Sequence, residues 1–210
     1  MTTDQTPVTP PAPAPEPRPL SVRLGIGSAI FQGLLVVLGV VLGFLITEWQ
    51  ADQTRNTEAR LALAHILEEV AANRDAIAAA RTYHGEKLDA LETAAREGSK
   101  PDIRLFDRGF VAPAQVSSAA WTTASETGAL ANLPFDQVLA LSRLYGQQTA
   151  YTQQQATVSS VIYPELFERG PQGIVEHTLG LRTLLSTFFY REQQLEAAYA
   201  KAVADIDAAE

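Results

Sequence analysis

The sequence predicts an all-α protein, with a single transmembrane helix followed by an antiparallel four-helix-bundle-like soluble domain. Three observations carry this. Residues 24–46 form an apolar run without a charged side chain. After it, apolar residues recur three and four apart along stretches rich in Ala, Glu, Arg and Leu, the period of a helix with one buried face. Gly and Pro then gather at a few places only, where helices need ends.

The N-terminal segment 1–23 holds seven of the twelve prolines and almost nothing large and apolar to bury. It is expected to be a disordered, Pro-rich tail of polyproline II character. The apolar run 24–46 matches a hydrocarbon core of about 30 Å at 1.5 Å per residue. A cleaved signal peptide would have a shorter apolar region ending in an Ala-x-Ala-like site, whereas Thr47-Glu48-Trp49-Gln50 follows here. Trp49 suits an anchor at headgroup depth. Small residues four apart, at Gly25, Ala29 and Gly33 and again at Gly39 and Gly43, suggest faces through which the span associates with itself or with another membrane helix. Arg18 and Arg23 on one side balance Arg55 and Arg60 on the other. The short tail and its free amino group therefore set the expected orientation, N-terminus inside.

Residues 47–210 are expected to form one soluble domain whose first turns are a membrane-proximal stalk. From Glu48 to Glu97 there is no Pro and the only Gly is Gly85, which predicts one long helix. Its seam passes through Leu63, Leu67, Val70, Ile77, Leu88 and Leu91, with coiled-coil-like spacing. Gly98-Ser99-Lys100-Pro101 ends it and an irregular connection reaches Pro113. A short helix is expected over 117–127, capped by a left-handed Gly128. Pro134 and Asp136 suit the start of a third helix, with its seam through Val138, Leu141, Tyr145, Gln148, Thr152, Gln155, Val158 and Ile162. The stretch from Tyr163-Pro164 to Gly173 is expected to break it. The last helix, 174–208, aligns Leu181, Leu185, Phe188, Leu195, Tyr199 and Ile206, with Glu192 on the same stripe. Three long helices and one short one bury such stripes most simply in a bundle.

The net charge of −8 falls almost wholly after residue 46, so nucleic acid is not an expected partner. Without Cys there is no thiolate metal site and no Cys nucleophile. A di-iron bundle needs Glu-x-x-His twice, but Ala62, Arg81 and Ile174 precede His65, His84 and His177 by three. His65 and Glu68 share a helical face, as a surface pair would. No zinc-protease, hydrolase, nucleotide-loop or calcium-loop pattern is present, so no catalytic residue, metal or cofactor is expected.

One constellation stands out. Arg74, Arg81 and His84 on the first long helix, Gln148 and Gln155 on the third and Glu192 on the fourth fall at or near seam positions. They would form either a structural network in which Glu192 neutralises an Arg and fixes helix register, or a small cavity for an anionic or polar ligand. Trp121 and Tyr145 read as core anchors whose polar atoms need partners.

The run into Thr47-Glu48-Trp49, the segment Leu67-Glu68-Glu69-Val70-Ala71-Ala72-Asn73, and the pattern Trp121, Ala124, Thr127-Gly128, Leu130 followed by Val138, Leu141, Leu144-Tyr145 and Gln148 resemble a group of uncharacterised bacterial single-span membrane proteins. The resemblance implies a bacterial membrane protein. The sequence thus points to a membrane-anchored, non-enzymatic interaction or scaffold protein in the cytoplasmic membrane. Its helical domain is expected outside the cytoplasm, and its partners are lipid, another membrane or extracytoplasmic protein, or a second copy. The alternative is an extracytoplasmic sensor that binds a small polar or anionic ligand in the bundle core.

Overall fold

A computed structural model describes residues 26–208, with side chains from residue 31 onward. The expected Pro-rich tail 1–23, Gly25 and the side chain of Ala29 lie outside that range. Among the described residues the fold is all-helical. In chain order the elements are α1 (Ile26–Glu97), the 3₁₀ turn η1 (Ile103–Phe106), α2 (Ala119–Glu126), the 3₁₀ turn η2 (Ala129–Asn132), α3 (Phe135–Glu176) and α4 (Thr178–Asp207). The chain divides into two units, Met1–Trp49 and Gln50–Glu210.

In the first unit, every side chain over 31–49 is exposed, large apolar ones such as Phe31, Leu38 and Phe44 among them. This is the one helical stretch among the described residues that is long and apolar enough to cross a membrane. A Cβ built at Gly33, Gly39 or Gly43 meets nothing within 4 Å, so these small residues leave an open surface.

The second unit is built on three stripes of heptad spacing. Along α1 the buried residues are Ala59, Leu63, Ile66, Val70, Asn73, Ile77, Ala80, His84, Leu91 and Ala94, with Tyr83 beside them. Steps of three and four alternate, and Lys87 fills the missing one with its ammonium 4.6 Å from the Tyr83 ring centroid. On α4 the stripe is Leu181, Leu185, Phe188, Glu192, Leu195, Tyr199, Ala202 and Ile206, and on α3 it begins Gln137, Leu141, Leu144, Gln148, Tyr151. A strict 3.5-residue period keeps one seam facing its neighbours over many turns. The side chains of these stripes meet in one core cluster that includes Ile66, Ile77, Leu141, Tyr151, Phe188 and Ile206. A second cluster, around Leu91, Phe106, Phe110, Ile174 and Leu185, closes the other end. Gly85 serves a close approach: a Cβ there would sit 3.2 Å from the Phe189 ring.

Local chemistry ends the helices where the sequence asks. Gly98 takes φ 65°, and the Ser99 and Gly98 amides donate to the Ala94 and Ala95 carbonyls at 2.9 and 3.4 Å, the paired bonds of a Schellman stop. Gly128, φ 76°, follows α2 in the same left-handed state, and α2 itself is shorter than expected, Ala119–Glu126. The break expected over the stretch from Tyr163-Pro164 to Gly173 falls toward its far end. Helix α3 runs through Pro164 and is interrupted at Gly170, with φ 66° and ψ 176°. Only glycine takes that conformation without strain, and Pro171 then opens the next turn, where its missing N–H costs nothing. Accordingly α4 starts at Thr178, four residues later than expected.

Candidate functional site

Between α1, α3 and α4, eight polar side chains sit on or beside the apolar stripes, and four of them, Glu69, Asn73, Gln148 and Tyr151, bond directly to one segment: the crossover 113–118 that leads into α2. Only Ala114 of this segment is buried, but backbone groups that lie against the helices need hydrogen-bond partners, and no strand among the described residues pairs with it. Side chains of α1 and α3 take the place of a strand, and α4 supports two of them from behind.

Asn73 pairs with Ser117 in both directions. The Ser117 amide donates to Asn73 Oδ1 at 2.8 Å, and Asn73 Nδ2 donates to the Ser117 carbonyl at 2.7 Å. Gln148 Nε2 donates to the same carbonyl at 2.7 Å, while Gln148 Oε1 accepts from Asn73 Nδ2 at 3.1 Å and from the Tyr199 hydroxyl at 2.6 Å. One turn further along, the Ala114 amide donates to the Tyr151 hydroxyl at 2.8 Å. Tyr151 in turn donates to Glu192 Oε1 at 2.8 Å, and Glu192 Oε2 lies 2.8 Å from His84 Nδ1. His84 and Glu192 are fully buried. Chains of this kind polarise one another, which strengthens each bond.

Glu69 anchors the start of α2. Its Oε2 accepts from the Ser117 hydroxyl at 2.6 Å and the Ala120 amide at 3.0 Å, and its Oε1 from the Tyr145 hydroxyl at 2.7 Å. The N-cap residue Ser118 makes no side-chain cap bond, so a carboxylate from another helix supplies it, at the end where the dipole favours negative charge. Burial alone would raise the Glu69 carboxyl, but bonds from Ser117, Tyr145 and the Ala120 and Trp121 amides outweigh it and hold the group below its ordinary value. The Tyr145 hydroxyl is pushed far up by burial and by the neighbouring Glu69. Burial and the Glu192 charge do the same to Tyr151. Both phenols therefore remain donors. Trp121 stacks on Tyr145, centroids 5.1 Å apart and planes at 11°, which fixes α2 on α3.

The expected seam is thus redrawn. His84, Gln148 and Glu192 belong to it, but Glu192 is held by His84 and Tyr151, not by an arginine. Arg74 faces outward and pairs with the adjacent Asp75 at 3.2 Å. Arg81 is half-exposed and pairs with Glu196 at 3.0 Å. Gln155 stands apart from the network and lines a cleft further along α3. The residues that sequence reasoning missed are Glu69, Asn73, Tyr151 and Tyr199. A 3.5-residue period drawn from Leu63 falls midway between Asn73 and Arg74, and one drawn from Leu141 midway between Tyr151 and Thr152, so spacing alone does not separate the members of either pair. His65 and Glu68 form an exposed pair at 3.3 Å. No cluster of His, Cys, Asp and Glu suited to a metal ion occurs among the described residues.

No family model, no curated protein and no solved structure matches this chain.

Proposed function

We propose that the chain is a membrane-anchored interaction or scaffold protein without catalytic activity. Segment 24–46 spans a bacterial cytoplasmic membrane with its N-terminus inside. A four-helix-bundle-like domain, completed by the short α2, stands outside and acts through a protein partner. The observation that carries this reading is the destination of the interior polar groups: Asn73, Gln148, Tyr151 and Glu69 spend hydrogen bonds on the domain's own crossover, and Glu192 spends its own on Tyr151 and His84. Such a network fixes one rigid shape for presentation to other molecules, and it leaves the seam little capacity to hold a polar ligand. Large exposed apolar side chains on the second unit, such as Phe167 and Leu179, 86% and 75% exposed, support a surface made for contact.

A photo-crosslinking amino acid placed in turn at Leu61, Phe135, Phe167, Leu179 and Tyr190 in living cells tests the reading. At least one position should give a discrete protein adduct; adducts at none would refute it. Protease added to spheroplasts should remove the domain, and full protection of a tag after Glu210 would reverse the topology.

A further inference from the structure

A second polar arrangement differs from the crossover anchor. A cleft of about 400 Å³ opens between the η1 region and the second half of α3, with the fully buried Phe188 of α4 as its floor. Phe106, Phe110 and Phe188 give it aromatic walls, and the first two rings pack at 5.2 Å. The volume is that of a small-molecule site, and so is the mixture of an apolar lining with a few polar groups.

Its charge is opposite to that of the chain. The sequence carries 24 acidic against 16 Lys and Arg residues, yet the cleft is lined by one cation, Arg108, and by no acidic side chain. Arg108 makes no ion pair among the described residues; its guanidinium carbon lies 5.2 Å from the Tyr83 ring centroid, a stacking that orients the fork. Gln155 and Ser159 also line the cleft. Where the crossover anchor consumes its polar groups, these side chains make no hydrogen bond to other described residues.

We propose that this cleft binds a small aromatic carboxylate, its ring among the three phenylalanines and its carboxylate on the Arg108 guanidinium, with Gln155 and Ser159 as further donors. A planar fork meets a carboxylate with two parallel bonds, and an aromatic body fits phenyl walls edge to face. The floor connects the site to the anchor: the Phe188 ring lies 5.7 Å from His84 and 6.0 Å, edge on, from Tyr151. Pro113, next to the anchored Ala114, also lines the cleft, so an occupant touches the same crossover that Tyr151 holds.

The full chain in nanodiscs of zwitterionic lipid, titrated with para-trifluoromethylbenzoate and observed by fluorine NMR, tests the proposal. Saturable binding above that of empty nanodiscs is expected, with the uncharged para-trifluoromethylbenzamide about tenfold weaker or worse. Arg108→Gln should weaken the benzoate by a similar factor, and Ile162→Trp, which fills the cleft, should remove binding while circular dichroism shows the helices intact. If Ile162→Trp fails to fold, Arg108→Gln on its exposed loop still decides. No saturable signal, equal binding of acid and amide, or an unchanged Arg108→Gln affinity would each overturn the assignment. None of these results bears on the crosslinking test of the partner reading.

Discussion

Two of the acid–base contacts that join helices α1 and α4 lie one turn apart. Their surroundings make them different kinds of interaction. Arg81 and Glu196 meet at 3.0 Å with about a third of each side chain exposed, whereas His84 and Glu192 meet at 2.8 Å with nothing exposed. Water competes for the first pair at all times and has no access to the second. The buried contact is also the far end of a chain that runs through Tyr151 to the Ala114 amide. Distance says almost nothing about what either pair is worth. Burial and the number of groups left stranded decide it.

The largest effect should therefore come from Glu192→Leu, which strands both His84 Nδ1 and the Tyr151 hydroxyl. Breaking a buried pair of this kind costs about 3–5 kcal/mol, read as a lower urea midpoint of the full chain in detergent at unchanged slope. Joint replacement of His84 and Glu192 by Leu should recover much of the loss, because apolar partners avoid the desolvation cost. If the double variant is no better than Glu192→Leu, the pair is not the unit that matters and Tyr151 carries the effect.

Two adjacent residues sharpen the contrast between inside and outside. Asn73→Ala strands the Ser117 amide and should cost about 1–3 kcal/mol, while Arg74→Ala, on the solvent face, should stay within about 0.5 kcal/mol. Equal effects in the same unfolding experiment would mean that the crossover is not held by Asn73.

This adjacent pair also explains what the sequence made legible. Alternating steps of three and four mark the buried face of α4 well, because large apolar side chains repeat often enough to fix the phase; on α1 they select Leu67 and Leu88, whereas the stripe runs through Ile66 and Lys87. Where the stripe itself is polar the phase becomes ambiguous: from Val70 a step of three reaches Asn73 and a step of four Arg74, about 100° apart around the helix. The α3 stripe is ambiguous in the same way at Leu144 and Tyr145, both of which are buried. What a polar seam residue binds was not legible. The partners of Asn73, Gln148 and Tyr151 are backbone groups of a crossover 31 to 44 positions away along the chain, and helical periodicity carries no information about where a loop passes. The point within the expected stretch at which α3 breaks, Gly170, was not legible for a related reason. Pro164 signals a break more loudly than Gly, but an exposed Pro can be carried within a helix, whereas a positive φ ends one.

Glu69 occupies the middle ground, being half-buried, and gives a pH-dependent variant of the comparison. Its carboxyl is held below the ordinary value of 4.5, so the stability it contributes is fully present above that value and is lost as pH falls through the depressed folded value. In a Trp49→Phe background, Trp121 fluorescence should report loosening of α2 on Tyr145 in that acid range. Glu69→Gln should flatten this component, since an amide has no proton to gain. Matching acid profiles for the two chains would assign the transition to other carboxylates.

The smallest effect is expected at Arg81 and Glu196, and it bears most directly on the opening contrast. A double-mutant cycle of Arg81→Ala with Glu196→Ala should return a coupling of about 0–1 kcal/mol. Most of it should vanish between low and high salt, because ions screen charges that face water. The corresponding cycle at His84 and Glu192 should return a larger coupling that salt leaves almost unchanged. Both cycles span the same two helices one turn apart, so helix geometry and the unfolded reference are nearly common to them. A coupling at Arg81 and Glu196 that equals the buried one and resists salt would show that the outer pair is closed to solvent, and exposure could no longer be what separates the two contacts.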